Sequence, residues 1–340
     1  MEQLENFFKP ADDSTKPIGQ SSDIERHSIK PENVLTEREG SLEEIKRNYK
    51  PAMVLRESQY EDDVAINPKM KNQRLNLNTH NEIVFGYADE LIRAHDLSES
   101  DKVAAYLAVI FHDSGKLAND LKEHGLDHHL KGSEYARRLL DELPSIKQGD
   151  KTIEITPDIK EKVLSAIERH MNHPFLVNLN KLNKGEPFPE PENAIDKIVF
   201  DADMMANVGF KNVCFRLISE KYLNEDMTEA SRKGVPALEE TFNNVMVGVR
   251  ALDQVVLSVP AKKQIGRLID TTEEIFKYLK DNRIFQEIQD KYSENNEFNF
   301  QTINQKPGGI PALKEELNLA IKNAARASKI DETIAKNFVM

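Results

Sequence analysis

The sequence contains a single cysteine, Cys214, among its 340 residues. One thiol excludes a disulfide framework and a zinc site built from several thiolates. An excess of positive charge is also lacking, since the formal net charge is -12 at pH 7. This charge argues against a surface that wraps nucleic acid or adheres to an anionic membrane. It does not exclude a phosphorylated substrate, because a bound metal cluster reverses the local field.

Long hydrophobic segments are absent as well. The longest nearly continuous apolar run, at 103–111, is too short to span a bilayer. The first eight residues lack the basic stretch and apolar core of a signal peptide. A hydrophobic content of 39% and a charged content of 31% are typical of a globular protein with additional polar surface. We therefore expect a soluble cytoplasmic protein with no membrane partner and no nucleic-acid partner.

Apolar residues recur with helical spacing along most of the chain, which predicts an all-α protein. Residues 1–65 are polar, with scattered prolines, and predict a flexible arm with at most one short helix near 41–49. Residues 66–290 are predicted to form a metal-binding helical domain with a helical extension. Residues 291–340 are predicted to be a linker followed by a helix at about 312–337. The carboxyl-terminal helices could complete the core, form a homodimer or bind a protein partner.

Two adjacent residues, His112 and Asp113, are the most informative feature of the chain. They follow the apolar run and precede Ser114-Gly115-Lys116. The run predicts a buried helix that begins at an N-cap near 98–101 and ends by presenting an imidazole and a carboxylate at one point. Burying this pair without a cation would be costly. The pattern therefore predicts a metal site.

Further histidines and acids lie at helix ends or in phase with apolar stripes of other predicted helices. These are His80, His128, His170 and Asp203. Four imidazoles and two carboxylates suit one or two transition-metal ions, whereas magnesium or calcium alone prefer oxygen-rich surroundings. One ion could be held by His80, His112, Asp113 and Asp203. A second could be held by His128 and His170, with Asp113 as a bridge. Mn or Fe is expected, with Mg, Co, Ni and Zn as alternatives.

This pattern resembles the HD-domain superfamily of metal-dependent phosphohydrolases over about residues 75–210. The residues that carry the resemblance are His80, His112, Asp113, Ser114, Gly115, Lys116, Asp201, Ala202 and Asp203. His128, four residues before Gly132, and His170 resemble the additional histidines of the two-metal branches. Met171 stands where some two-metal members have a second histidine. The Gly-Tyr-Pro motif of the cyclic-dinucleotide-cleaving branch is missing, which disfavours that substrate.

The resemblance implies an HD-like helical bundle in which a metal-activated water cleaves a phosphoester of a nucleotide or another small phosphorylated metabolite. It implies Asp203 rather than Asp201 as the metal ligand, with Asp201 orienting an imidazole. Asp113 and Lys116 would then be catalytic, and the Lys116 ammonium would contact the phosphoryl oxygens. Arg74 is a further candidate for binding the substrate phosphate.

Several alternatives remain open from the sequence. His129 could replace His128 as a ligand, and Asp201 could replace Asp203. Lys116 could compensate the negative end of a helix, and Lys131 and Arg137 are weaker phosphate-binding candidates. Di-iron oxygenases of the same superfamily have a similar ligand set, so this activity is the main alternative to hydrolysis. The third alternative is a metal-stabilised helical module that binds another protein without catalysis.

Overall fold

A computed structural model of the chain describes residues 42–121, 126–148, 151–182, 185–206, 246, 250–294 and 300–330. Within these residues the protein is mostly helical and includes one antiparallel two-stranded sheet, which confirms the all-α class. The main elements in chain order are α1 (Lys50–Ile66), α2 (Lys71–Ala94), α3 (Glu99–Phe111), α4 (His128–Asp141), β1 (Ser145–Gln148), β2 (Lys151–Glu154), α5 (Pro157–Arg169), α6 (Pro174–Leu182), α7 (Ala194–Met205), α8 (Val259–Asp281), α9 (Ile284–Tyr292), α10 (Phe300–Gln305) and α11 (Gly309–Ala327). None of the helices described is both long and apolar enough to cross a membrane.

Helix α3 lies at the centre of the domain. It begins where the sequence predicted: Ser98 is its N-cap, and the Ser98 hydroxyl accepts a hydrogen bond from the backbone N–H of Asp101 at 3.2 Å. Every residue from Val103 to Phe111 is buried. A helix that is apolar on all sides needs neighbours on all sides, and α3 packs against α1, α2, α4, α5 and α7. The residues that follow it therefore emerge inside the domain.

Helix α1 lies in a region that the sequence predicted to be a flexible arm. Residues 50–66 are instead helical, and Tyr49, Ala52 and Tyr60 at or within this segment are fully buried. The apolar pattern did not reveal α1 because its buried face also contains Gln59 and Asp63, so no aliphatic stripe runs along it. The predicted short helix is present over 42–48, and residues 1–41 lie outside the described part of the chain.

Capping residues determine where α5 and α7 begin. The Thr156 hydroxyl accepts a hydrogen bond from the backbone N–H of Ile159 in α5, and Pro157 occupies the first helical position. The Asn193 and Asp196 side chains form a capping box at the start of α7. Strand β2 pairs antiparallel with β1 and places Ile146 opposite Ile153.

The carboxyl-terminal helices complete the core. Helix α8 packs against α2, α7, α9 and α11, and apolar residues of α8 to α11 belong to the same hydrophobic cluster as those of α2 to α7. The predicted linker at 291–311 contains α10, and α11 starts at Gly309 rather than near 312. The end of the final helix, predicted to reach 337, lies outside the described residues.

Candidate metal centre

The fold brings together the side chains that the sequence predicted to be metal ligands. They come from the middle of α2, the end of α3, the start of α4, the end of α5 and the last turn of α7. Two groups result, and in each the three ligand atoms lie within 4.8 Å of one another. The first group is His80, His112 and Asp203, and the second is Asp113, His128 and His170. These His and Asp groups could hold a metal ion.

The Asp113 carboxylate lies between the two groups. Its Oδ2 atom is 3.6 Å from His80 Nε2 and 3.5 Å from His112 Nε2. Its Oδ1 atom is 3.3 Å from His128 Nε2 and 3.8 Å from His170 Nε2. One carboxylate thus directs one oxygen to each group.

The orientation of two imidazoles is fixed by backbone carbonyls. His112 Nδ1 donates to the Val109 carbonyl at 2.7 Å, and His170 Nδ1 donates to the Ile167 carbonyl at 2.6 Å. Because a carbonyl can only accept, Nδ1 bears the proton in each ring and Nε2 keeps a lone pair directed at the centre. This is the arrangement by which proteins orient histidine ligands.

One buried nitrogen supports a cation at this place. His112 is fully buried, and its Nε2 atom has no hydrogen-bond partner within the described part of the chain. Leaving a buried acceptor unsatisfied costs free energy, whereas a bound cation would satisfy it. The nitrogen and carboxylate donors of both groups are those that Zn, Mn, Fe and similar ions prefer. The residues therefore fit a divalent transition metal.

The protonation states of the buried groups also suit a cation. Burial, aided by the neighbouring His128 and His112, holds the pKa of His170 well below its ordinary value, and burial lowers the pKa of His112. Burial alone would raise the pKa of the Asp113 carboxyl, but the Lys116 ammonium and the adjacent imidazoles outweigh it and hold that pKa well below its ordinary value. Neutral imidazoles and an ionised carboxylate are the forms that bind metals.

Two glycines allow α4 to approach the turn after α3. A Cβ atom on Gly115 would lie 2.8 Å from the His128 carbonyl oxygen, and one on Gly132 would lie 3.1 Å from the His112 carbonyl oxygen. A glycine just after a helix often supplies the left-handed backbone conformation that ends the helix. Among the described glycines, however, the positive φ values belong to Gly308 and Gly309. Gly115 is therefore required for space, and this close contact brings His128 beside Asp113.

The structure places His128 and His129 in different surroundings. His128 Nε2 lies 3.1 Å from His170 Nε2 within the second group. The His129 ring instead packs edge-on against Phe188, with ring centroids 5.1 Å apart. Both histidines are buried, so burial alone does not distinguish them.

Within the described residues the Asp201 carboxylate hydrogen-bonds to backbone N–H groups and to no imidazole, whereas the resemblance implied that it orients one. Its Oδ1 atom accepts the backbone N–H of Leu257 at 2.7 Å, and its Oδ2 atom accepts that of Ser258 at 2.9 Å. Asp201 is fully buried, and Ser258 is the N-cap of α8. Both carboxylate oxygens therefore attach the carboxyl-terminal helices to α7, two residues before Asp203.

Of the predicted basic residues, Lys116 lies at the centre. Its Nζ atom is 2.8 Å from Asp113 Oδ2, and its side chain is 34% exposed. The side chains of His80 and Asp203 are 17% and 14% exposed, whereas that of Asp113 is 1% exposed. His80 and Asp203 of the first group, together with Lys116, therefore lie nearer to solvent than the second group, which is enclosed.

Two of the other predicted basic residues, Arg74 and Lys131, contact carboxylates. Arg74 Nη2 lies 2.9 Å from Glu61 Oε1 and 3.5 Å from Glu57 Oε2. Lys131 Nζ lies 2.9 Å from Asp120 Oδ2, and Arg137 is exposed on α4. Their roles in binding a phosphate stay predictions.

Tyr60, whose hydroxyl contacts the Asp113 carbonyl, was not identified from the sequence. Its segment was assigned to the polar arm, and no local signal marks it.

Acid should destabilise the metal-free protein. The pKa values of His112 and His170 are lower in the folded state than their ordinary value of 6.5, so the unfolded chain binds protons first as the pH falls. The free energy of unfolding is therefore expected to decrease below pH 6.5, and Asp113 adds a second decrease below its ordinary pKa of 3.8. Urea unfolding of chelator-treated protein between pH 7.5 and 5 measures the first decrease. A His170→Gln variant should show a shallower dependence, and an equal slope would contradict the assignment.

Comparisons of the chain with models of protein families, with curated proteins and with solved structures found no match.

Proposed function

We propose that the protein is a metal-dependent phosphohydrolase that cleaves a phosphoester of a nucleotide or another small phosphorylated metabolite. The observation that carries the proposal is the buried Asp113 carboxylate between two groups of imidazole and carboxylate side chains. The proposal is supported by the order of these residues along the chain, which resembles that of HD-domain phosphohydrolases. We also propose that the helical bundle is HD-like and that the protein is cytoplasmic.

The ligand set proposed for two ions is divided between the groups. His80, His112 and Asp203 would hold the ion nearer to solvent, and His128 and His170 would hold the enclosed ion, with Asp113 bridging. Mn or Fe is the expected metal, because the ligand set combines imidazole nitrogens with carboxylate oxygens. When bound, the metal supplies a hydroxide at neutral pH and polarises a phosphoryl oxygen.

The protein side chains would position the substrate at the exposed edge of the first group. Lys116 is the basic residue at this edge, with its ammonium 2.8 Å from Asp113 Oδ2. From there the ammonium would contact a non-bridging phosphoryl oxygen and stabilise the negative charge that develops in the transition state. Asp113 would hold Lys116 in place while it bridges the metals. The enclosed second group would contribute charge without contacting the leaving group.

A di-iron oxygenase is the second candidate, because the same donor set suits a pair of iron ions. The two activities differ in what they consume and release. Protein purified anaerobically without chelator is first analysed for metal identity and stoichiometry. Phosphate release from a panel of nucleotides and sugar phosphates is then measured beside oxygen uptake with polyols and phosphonates. Phosphate release supports the proposal, whereas oxygen uptake without phosphate release overturns it in favour of the oxygenase. Bound metal with neither reaction would favour a non-catalytic helical module.

Replacing Lys116 with alanine should separate catalysis from metal binding. The variant is expected to keep its metal content and to lose about 10²–10³-fold in kcat, because a preorganised charge at the phosphoryl group is removed. Lys102→Ala is the matched control, since Lys102 pairs with Glu99 three residues away on the surface of α3 just as Lys116 pairs with Asp113. Equal activities of the two variants would exclude a catalytic role for Lys116.

A further inference from the structure

The phenol of Tyr60 connects two of the segments that hold the candidate metal ligands. Its hydroxyl donates a hydrogen bond to the backbone carbonyl of Asp113 at 3.1 Å. The same hydroxyl accepts a hydrogen bond from the side-chain amide of Asn81 at 3.2 Å. Asn81 follows His80 on α2, and Asp113 follows His112 at the end of α3. One hydroxyl therefore joins the residue beside His80 to the bridging aspartate.

The Tyr60 ring makes the same connection through apolar contacts. Tyr60 is fully buried and clusters with Leu77 of α2 and Leu117, the residue after Lys116. Asn81 is also buried, at 2% exposure. Water therefore cannot readily take the place of the tyrosine hydroxyl as the acceptor for the Asn81 amide. Loss of that hydroxyl would leave a buried donor without its acceptor, which costs free energy.

The backbone of Asp113 is constrained from two directions. Its carbonyl accepts the Tyr60 hydroxyl at 3.1 Å and the backbone N–H of Lys116 at 3.0 Å. The first bond fixes the peptide plane from outside the turn, and the second fixes it from within. Because the two oxygens of Asp113 face different groups, a small rotation of its backbone would move both away from their imidazoles. Asp113 therefore depends on this restraint more than a ligand of one ion would.

We infer that Tyr60 is a positioning residue of the metal centre, which sets the separation of His80 from the His112–Asp113 pair and the direction of the bridging carboxylate. Helix α1, which the sequence assigned to a polar arm, is on this basis an integral part of the centre. The inference rests on the proposed metal site. It adds a residue that touches neither metal nor substrate.

The test uses the full-length chain with Co²⁺ as a spectroscopic probe, and compares wild type, Tyr60→Phe and Tyr49→Phe. Tyr49 is the matched control because it is also fully buried, while its hydroxyl has no hydrogen-bond partner in the described part of the chain. Tyr60→Phe is expected to weaken Co²⁺ binding about 10–100-fold, the usual effect of losing a partner that orients metal ligands, and to shift the Co²⁺ absorption bands. Tyr49→Phe should bind as wild type does and keep the wild-type spectrum.

The outcomes separate the inference from the proposal beneath it. If wild type binds no Co²⁺, Mn²⁺ or Fe²⁺, the metal site fails and the role of Tyr60 fails with it. If wild type binds metal but Tyr60→Phe matches Tyr49→Phe in affinity and spectrum, the positioning role alone is rejected. Band shape normalised to bound Co²⁺ reports on folded molecules, so partial unfolding cannot imitate the spectral shift.

A double-mutant cycle with Asn81→Ala tests whether the hydroxyl and the amide act as one unit. Residues in one hydrogen-bonded network have non-additive effects. The Tyr60→Phe/Asn81→Ala variant should therefore bind Co²⁺ little more weakly than Tyr60→Phe alone. Fully additive losses would mean that the two side chains act separately, and would overturn the bridging role assigned to the hydroxyl.

Discussion

Replacing Asp113 with asparagine should remove bound metal from both groups at once. The substitution keeps the size of the side chain but removes its charge and one of its two oxygens, which lie 3.3 Å and 3.5 Å from imidazole nitrogens of different groups. Losing a partner that merely orients a ligand already costs about 10–100-fold in metal affinity, so losing the ligand that we propose two ions share should cost more. Elemental analysis and Co²⁺ titration of the purified variant measure the effect, and phosphate release should fall to background.

Variants of unshared ligands give the contrast. Asp203→Asn should weaken the ion nearer to solvent, because Asp203 Oδ1 lies 3.0 Å from His80 Nε2 in the first group. His170→Gln should weaken the enclosed ion, because His170 belongs to the second group. Each of these two variants is expected to retain one ion per chain, whereas Asp113→Asn is expected to retain none. If Asp113→Asn retained one ion at wild-type affinity, the bridging assignment would be wrong.

Replacing Gly115 with alanine should disrupt the centre without changing any ligand. The added Cβ atom would lie 2.8 Å from the His128 carbonyl oxygen and from the carbonyl carbon of Lys131, closer than real Cβ atoms come to backbone. Helix α4 must therefore move away from the turn, and it takes His128 with it. We expect a loss of about 1–3 kcal/mol in the free energy of unfolding from this overpacking, together with loss of the enclosed ion. Urea unfolding of the metal-free variant and metal analysis of the folded protein measure the two effects separately.

Gly86→Ala is the control for this substitution. Gly86 lies inside α2, and a Cβ atom there would meet nothing within 4 Å. Alanine should stabilise the helix by about 0.5–1 kcal/mol, because glycine loses more backbone entropy on folding, and it should leave the metal content unchanged. Equal stability and equal metal content of the two variants would show that the contact between the turn and α4 does not shape the centre.

The sequence by itself determined the helical class, several helix starts and the residue types of the centre, which could hold a metal ion. Ser98, Thr156 and Asn193 mark the starts of α3, α5 and α7, and each hydrogen-bonds to backbone within three residues. Such signals can be read from sequence because cap and helix are neighbours in the chain. The candidate ligands could be read because imidazoles and carboxylates in phase with apolar stripes are costly to bury without a partner.

Only the tertiary structure decided how these parts meet. It placed α1 against the centre and put His128, but not His129, in the second group. It showed that the Asp201 carboxylate accepts a backbone hydrogen bond just before α8. It also showed that Gly115 is needed for contact between two segments rather than for a turn. The physical reason is that each of these facts depends on a distance between elements far apart in the chain. Apolar periodicity and capping act over a few residues and specify that a face is buried, but the packing of neighbouring helices decides what that face touches.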